Sequence, residues 1–111
     1  MHELSLVLSI IEIAENHAQD AQSIDEIEID IGQLSAVEMD AFEFAWKQGV
    51  KDTRLQNAIK IINRISGKGA CFNCEFEFQL QNVYDTCPQC GSHFINILRG
   101  KEFKVKSILV S

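Results

Sequence analysis

Positive charge is scarce in this chain. Ten Lys/Arg face sixteen Asp/Glu over 111 residues, a formal charge of −6. The deficit is uneven: residues 1–69 hold six cations and twelve anions, and residues 70–111 hold four of each. Phosphate contacts supply most nonspecific nucleic-acid affinity, so a chain without a basic patch is a poor polyanion binder. Long apolar runs are missing too. The stretch Leu4–Ile13 has Glu3 and Glu12 at its ends and falls well short of the roughly 20 residues that span a bilayer. No positive segment precedes it, so we expect no secretory signal, no membrane partner and a cytoplasmic protein. There is no Ser/His/Asp set, no P-loop and no pair of catalytic carboxylates. Gly67-Lys68-Gly69 is too short to cradle a phosphate, and the expectation is a protein that is not an enzyme. Internal repeats and low-complexity segments are absent. Cysteine occurs four times only.

Those four cysteines are the strongest signal present. Cys71, Cys74, Cys87 and Cys90 form two C-x-x-C pairs separated by twelve residues. Two residues between paired cysteines let both sulfurs of a tight turn face one ion. Two such turns supply four thiolates in a tetrahedron, the donor set of a closed structural Zn²⁺ site. A catalytic zinc keeps a position open for water, which four thiolates do not. Disulfides are a lesser alternative in a reducing compartment. An iron site of rubredoxin type is another, given Cys87-Pro88-Gln89-Cys90-Gly91. His93 is a spare donor, and His17 reads as a surface residue.

Periodicity gives the rest of the fold. Residues 4–18 read as a helix, with Leu4, Val7, Leu8, Ile11 and Ala14 on one stripe and Leu6, Ile10 and Ile13 widening it, so that it should be well buried. Ser23–Ile31 alternates, with Ile27, Ile29 and Ile31 on one face, and predicts a strand. Ser35 and Glu38 form a capping box opening a helix to about Gln48, with Gly49 as its stop. Val37, Ala41, Phe44, Ala45 and Gln48 fall on one side of it and Phe42 and Trp46 on a neighbouring one, and the aromatics read as core. Ala58–Ile65 and Lys101–Val110 predict two further strands, with Ile59 and Ile61 on one face. Gly67 and Gly69 read as a flexible joint. The expected fold is α+β, a three-stranded sheet with two helices on one face, plus an inserted zinc-ribbon module. The division is residues 1–69 and 98–111 for the α+β domain and 70–97 for the ribbon.

Met1-His2-Glu3 is the second place where chemistry could sit. The Met1 amine, the His2 amide nitrogen and His2 Nδ1 can close fused five- and six-membered chelate rings on one metal. Three nitrogens in one plane suit Ni²⁺ or Cu²⁺, with Glu3 as a fourth donor through its amide or carboxylate. By spacing alone, an exposed terminal histidine is the better reading.

Taken together, these motifs resemble the hydrogenase nickel incorporation proteins of the HypA/HybF family. The similarity rests on Met1-His2-Glu3-Leu4-Ser5, on Ile31-Gly32-Gln33-Leu34-Ser35-Ala36-Val37-Glu38, on the two cysteine pairs, and on Gly100-Lys101-Glu102-Phe103-Lys104-Val105. It implies a cytosolic nickel metallochaperone with Ni(II) as cargo and structural Zn(II). His2 would be the essential nickel ligand, Met1 and Glu3 contributors, and Cys71, Cys74, Cys87 and Cys90 the zinc ligands. The implied partners are a HypB-type accessory GTPase and the [NiFe]-hydrogenase large subunit, and in some bacteria the target includes urease. No nucleic acid is expected, and the chain should be a monomer or weak dimer. Met39 stands where the family usually has proline. A zinc-ribbon nucleic-acid or transcription adaptor is the rival from another class.

Overall fold

Alternation makes Ile24–Gly32 a strand that drives three isoleucines to one side: Ile27, Ile29 and Ile31 are fully buried, with carboxylates between them. In the computed structural model, which describes residues 2–111, this strand is β1. It follows helix α1 (His2–Ala18) and precedes α2 (Met39–Gly49), β2 (Ile59–Ile65), β3 (Gly67–Cys71), β4 (Glu77–Leu80), β5 (Ile95–Arg99) and β6 (Phe103–Val110). One sheet has the order β2-β1-β6 and the other β4-β3-β5. The ribbon strands thus lie in sequence between the second and third strands of the first sheet. No helix of the described residues is long and apolar enough to cross a membrane. The chain divides into two compact units: one holds residues up to 29, 36–62 and 104–111; the other holds 30–35 and 63–103.

In the first unit, α1 buries Val7, Ile10, Ile11, Ala14 and Ala18, a single helical stripe. Leu4, Leu8 and Ile13 remain exposed, Leu8 by 51%, so the helix is not buried all round as its composition suggests. A helix beside one layer can hide only the side that meets it. On α2, Phe42, Ala45 and Trp46 are buried, whereas Phe44 is 62% exposed. Two residues from Phe42 is more than half a turn, so both aromatics cannot face the core. Ile59 and Ile61 do share a face of β2, but an exposed one. Lys60, between them, reaches over the Trp46 ring at 5.8 Å and pairs with Glu43 at 2.8 Å. Its ammonium thus lies over the indole face while it stays paired with Glu43.

Helix ends differ from the expected motifs. Glu38, not Ser35, caps α2: its carboxylate accepts from the amides of Asp40 (3.2 Å) and Ala41 (2.6 Å). Ser35 closes the preceding turn by donating to the Gly32 carbonyl at 2.6 Å. Gly49 is the last helical residue, and Val50 is the C-cap. A Cβ on Gly49 would lie 3.0 Å from Val7 and 3.1 Å from Ile11, so its smallness serves the approach of α1. The end of α1 is held by Arg54, whose guanidinium donates to the carbonyls of Glu15, Gln19 and Ala21 and, at 2.8 Å, to the Glu15 carboxylate. One planar fork satisfies several carbonyls that a helix end leaves open.

In the second unit, Gly67–Gly69 is not a flexible joint. It begins the central strand β3, paired antiparallel to β4 on one side and to β5 on the other. A Cβ on Gly69 would meet Ile95 and Leu80, each at 2.7 Å, so the residue is glycine because two apolar side chains close over it. Residues 32–34 are tied to the same unit. Gly32 N–H donates to Glu102 O, Gln33 N–H to Ile65 O and Leu34 N–H to Gly100 O, at 2.7, 2.8 and 2.7 Å. A Cβ on Gly32 would fall 1.9 Å from the Gly100 carbonyl oxygen, an overlap of backbone with backbone.

Two substitutions separate these effects in urea denaturation of zinc-loaded protein. Gly32→Ala is expected to lose about 3 kcal/mol or to fail to fold, since overpacking against backbone has no rotamer to relax into. Met39→Pro is expected to stay within about 0.5 kcal/mol of the parent, because Met39 is the first helical residue and Glu38 already has an extended backbone (φ −86°, ψ 114°).

Candidate metal centres

The cysteine turns are built twice on one plan. Cys71 N–H donates to Phe76 O at 2.9 Å, and Glu75 N–H returns to Cys71 O at 2.9 Å. Sixteen residues on, Cys87 N–H donates to Ser92 O at 3.0 Å, and Gly91 N–H to Cys87 O at 2.8 Å. The fifth position of each turn is left-handed, Glu75 at φ 64° and Gly91 at φ 76°. Glycine adopts that conformation freely; glutamate does so at a cost. Asn73 couples the turns, its amide donating to Ser92 Oγ at 2.8 Å, and Phe94 N–H donates to the same hydroxyl at 3.1 Å. Sequence reading missed Asn73 and Ser92; their only signal is their place beside the cysteines.

The four sulfurs converge. All lie within 4.8 Å of one another, with Cys71–Cys90 at 3.5 Å and Cys74–Cys87 at 3.6 Å. Zn–S bonds of about 2.3 Å in a tetrahedron place sulfurs roughly 3.8 Å apart, so this donor set fits zinc. Cys71 and Cys87 are buried; Cys74 and Cys90 are exposed.

Electrostatics split the thiols into two kinds. The Cys74 amide, helped by that of Asn73, outweighs burial and lowers Cys71 to about 6. Burial pushes Cys87 up, but the amides of Cys90 and Gln89 and the neighbouring thiols outweigh it and leave Cys87 lowered. Cys74 accepts from the Phe76 amide, yet burial and the other three thiols push it up to about 12. Cys90 accepts from the Ser92 amide, but the Cys71 thiol and burial leave it raised. Without metal near neutral pH, Cys71 is a thiolate, Cys74 and Cys90 keep their protons, and Cys87 is drawn toward the thiolate form.

Met1 lies outside the described residues, so only two members of the terminal triad are placed. His2 opens α1, exposed, with Nδ1 3.2 Å from Glu3 Oε2. The Glu3 carboxylate is an acceptor, so the proton of this bond sits on Nδ1. Glu3 Oε2 also accepts from the Glu38 amide at 3.2 Å, tying the start of α1 to the start of α2. The His2 bond, followed by the Glu38 bond, holds the Glu3 carboxyl below its ordinary value of 4.5. His17 Nδ1 faces the Ile13 carbonyl at 2.9 Å, and the ring belongs to neither centre. Among the described residues, the four cysteines are the one cluster of three or more His, Cys, Asp or Glu suited to a metal. His93 is not in it.

Fold and site together define an α+β protein with a closed four-thiolate module. The family model for hydrogenase/urease nickel incorporation, metallochaperone, hypA, matches residues 1–110, and the chain belongs to this family. Hydrogenase maturation factor HypA of Parabacteroides distasonis is 42% identical over 112 residues, covering 99% of this chain and 97% of that protein. The protein of the same name from Geobacter metallireducens is 36% identical over 110 residues, 99% of each. The solution structure of the Ni metallochaperone HypA from Helicobacter pylori is similar with a TM-score of 0.70 at 27% identity, over 97% of this chain and 96% of that one.

Two outcomes follow for the thiolate module. Zinc loading near pH 7 should release about two to three protons, those of Cys74 and Cys90 and whatever share Cys87 still holds, read by calorimetry in buffers of differing ionisation heat. Thiolate is the binding form, so zinc affinity should fall on acidification and fall more steeply below about pH 6, where Cys71 also takes up a proton. Separately, Glu75→Gly should stabilise the module by about 1 kcal/mol in chelator competition or thermal unfolding, by relieving the left-handed glutamate.

Proposed function

We propose that this protein is a nickel metallochaperone acting in nickel incorporation during [NiFe]-hydrogenase maturation, a role the family also describes for urease. The observation that carries the reading is the family match from residue 1 to residue 110, which takes in both the amino-terminal triad and the cysteine pairs. Cys71, Cys74, Cys87 and Cys90 would hold a structural Zn²⁺ that folds the ribbon. His2 is the essential nickel ligand, with Met1 and Glu3 completing the site.

The geometry at the start of α1 supports that assignment. The first amides of a helix have no acceptor within it, so the amide nitrogens of His2 and Glu3 can be given to a metal without breaking the helix. Donors at adjacent corners of a square-planar site with bonds of about 2.1 Å are roughly 3 Å apart. His2 Nδ1 and Glu3 Oε2 stand at 3.2 Å. Nickel would replace the proton that now lies between them. Glu3, anchored to Glu38, keeps the site against the domain. An open side lets a recipient's ligand attack and take the ion, so the chain acts by transfer and not by catalysis. Protons and metal compete for the imidazole, and nickel affinity should fall as pH drops.

The finer assignments belong to the same proposal. A HypB-type accessory GTPase and the hydrogenase large subunit are the partners, the compartment is the cytoplasm, and the chain works as a monomer or weak dimer. The adaptor reading is not favoured: the first 69 residues carry twice as many anions as cations.

Nickel titration of three forms tests the site. Native protein should bind one Ni²⁺; His2→Ala and protein extended by one residue before Met1 should each lose at least about a hundredfold in affinity, with zinc content unchanged. Equal binding by all three would remove the terminal site from consideration.

A further inference from the structure

The polar face of the ribbon sheet holds a feature that metal carriage does not explain. In register, Lys68 of β3 stands opposite Arg99 of β5 and, on its other side, opposite Gln79 of β4. Directly opposed residues share a face of the sheet, and like charges so placed are destabilising unless something compensates them. Lys68 is compensated: its Nζ lies 2.9 Å from Glu77 Oε1 on the diagonal. Arg99 is not, for among the described residues its guanidinium meets no ion-pair or hydrogen-bond partner. The two cations and Glu77 line an open cavity of about 390 Å³ with Ser66 and Gln79. That volume is in the range of small-ligand sites. A bulge between Lys68 and Gly69 interrupts the β3–β5 register where the two cations face each other.

We propose that this cavity is a carboxylate-binding site, with the Arg99 fork as the primary ligand contact and Ser66, Lys68 and Gln79 as supporting donors. The class of ligand follows from what is already there. Lys68 is satisfied by a carboxylate of the chain itself, and a second carboxylate matches the planar two-pronged face of Arg99. Glu77 lines the same cavity, so a phosphate, with two charges on one tetrahedral centre, meets more repulsion than a planar carboxylate group, which brings a single charge to the Arg99 fork. Glu77 also competes for Lys68, which keeps the site weak until the ligand displaces it. The carboxylate can come from a free small acid or from an acidic side chain of a docked protein.

The test is a heteronuclear NMR titration of the zinc-loaded full chain at constant ionic strength. The probes are malonate, a capped tri-glutamate peptide and inorganic phosphate. Malonate or the peptide should shift the amides of Ser66, Lys68, Gln79 and Arg99, and phosphate should do so more weakly. Tighter binding of malonate identifies a free acid as the source, and tighter binding of the peptide identifies a docked chain; either supports the site. Arg99→Gln should abolish the response, Arg99→Lys should weaken it about tenfold by losing the fork, and Glu77→Gln should strengthen it about threefold by freeing Lys68. Both substituted side chains are exposed, and preserved spectral dispersion verifies the fold. Shifts that persist in Arg99→Gln, that spread equally to Lys104 and Lys106, or that phosphate matches in strength would overturn the proposal.

Discussion

Four sulfurs have to meet within 4.8 Å, and the second unit is arranged around that requirement. Its sheet is small and its glycines numerous, so apolar burial alone gives little; Leu80, Cys71 and Cys87 are among its few buried side chains. The duplicated turns solve a local problem first. Each aims amides at its leading sulfur, the buried Cys71 or Cys87, and so prepares negative charge before any ion arrives. A divalent cation then completes what the backbone has begun. Small modules of this kind commonly take their folding energy from the metal.

The amino-terminal nickel site proposed above rests on the opposite principle. The four ribbon thiols would close round an ion and leave no vacancy, whereas the start of α1 offers one imidazole, one carboxylate and backbone nitrogens that have no acceptor inside the helix. A closed site retains its metal; an open one can hand it on. The link from Glu3 to the Glu38 amide matters here, because a mobile terminus would have to be ordered at each binding event. Glu38 thus serves twice, accepting at the start of α2 with its side chain and donating to Glu3 with its backbone.

Much of this could be read in the sequence because it is periodic or local. The Ile27, Ile29, Ile31 alternation, the helix carrying Val7, Ile11 and Ala14, and the two C-x-x-C turns each announce themselves within ten residues or fewer. What escaped the reading depended on neighbours distant in the chain. Nothing near Gly69 shows that Leu80 and Ile95 will close over it, so a strand centre looked like a joint. Nothing near Ser35 shows that its hydroxyl will turn back to Gly32 and leave the cap to Glu38. Phe44 has the composition of a core residue, and only the facing layer decides that Phe42 is taken instead.

The sequence by itself determined the two helices, the strands β1, β2 and β6, the zinc-type donor set and the family, since these follow from spacing along one chain. Tertiary structure decided which hydrophobic residues are hidden, which glycines are irreplaceable, and how charges meet. Lys60 over Trp46, Arg54 at the end of α1 and Lys68 opposite Arg99 are all of this second sort. Periodicity along one chain sets which way a side chain turns within its own helix or strand. Contact, exclusion and charge compensation need a second segment, and the place of that segment exists only in the folded molecule.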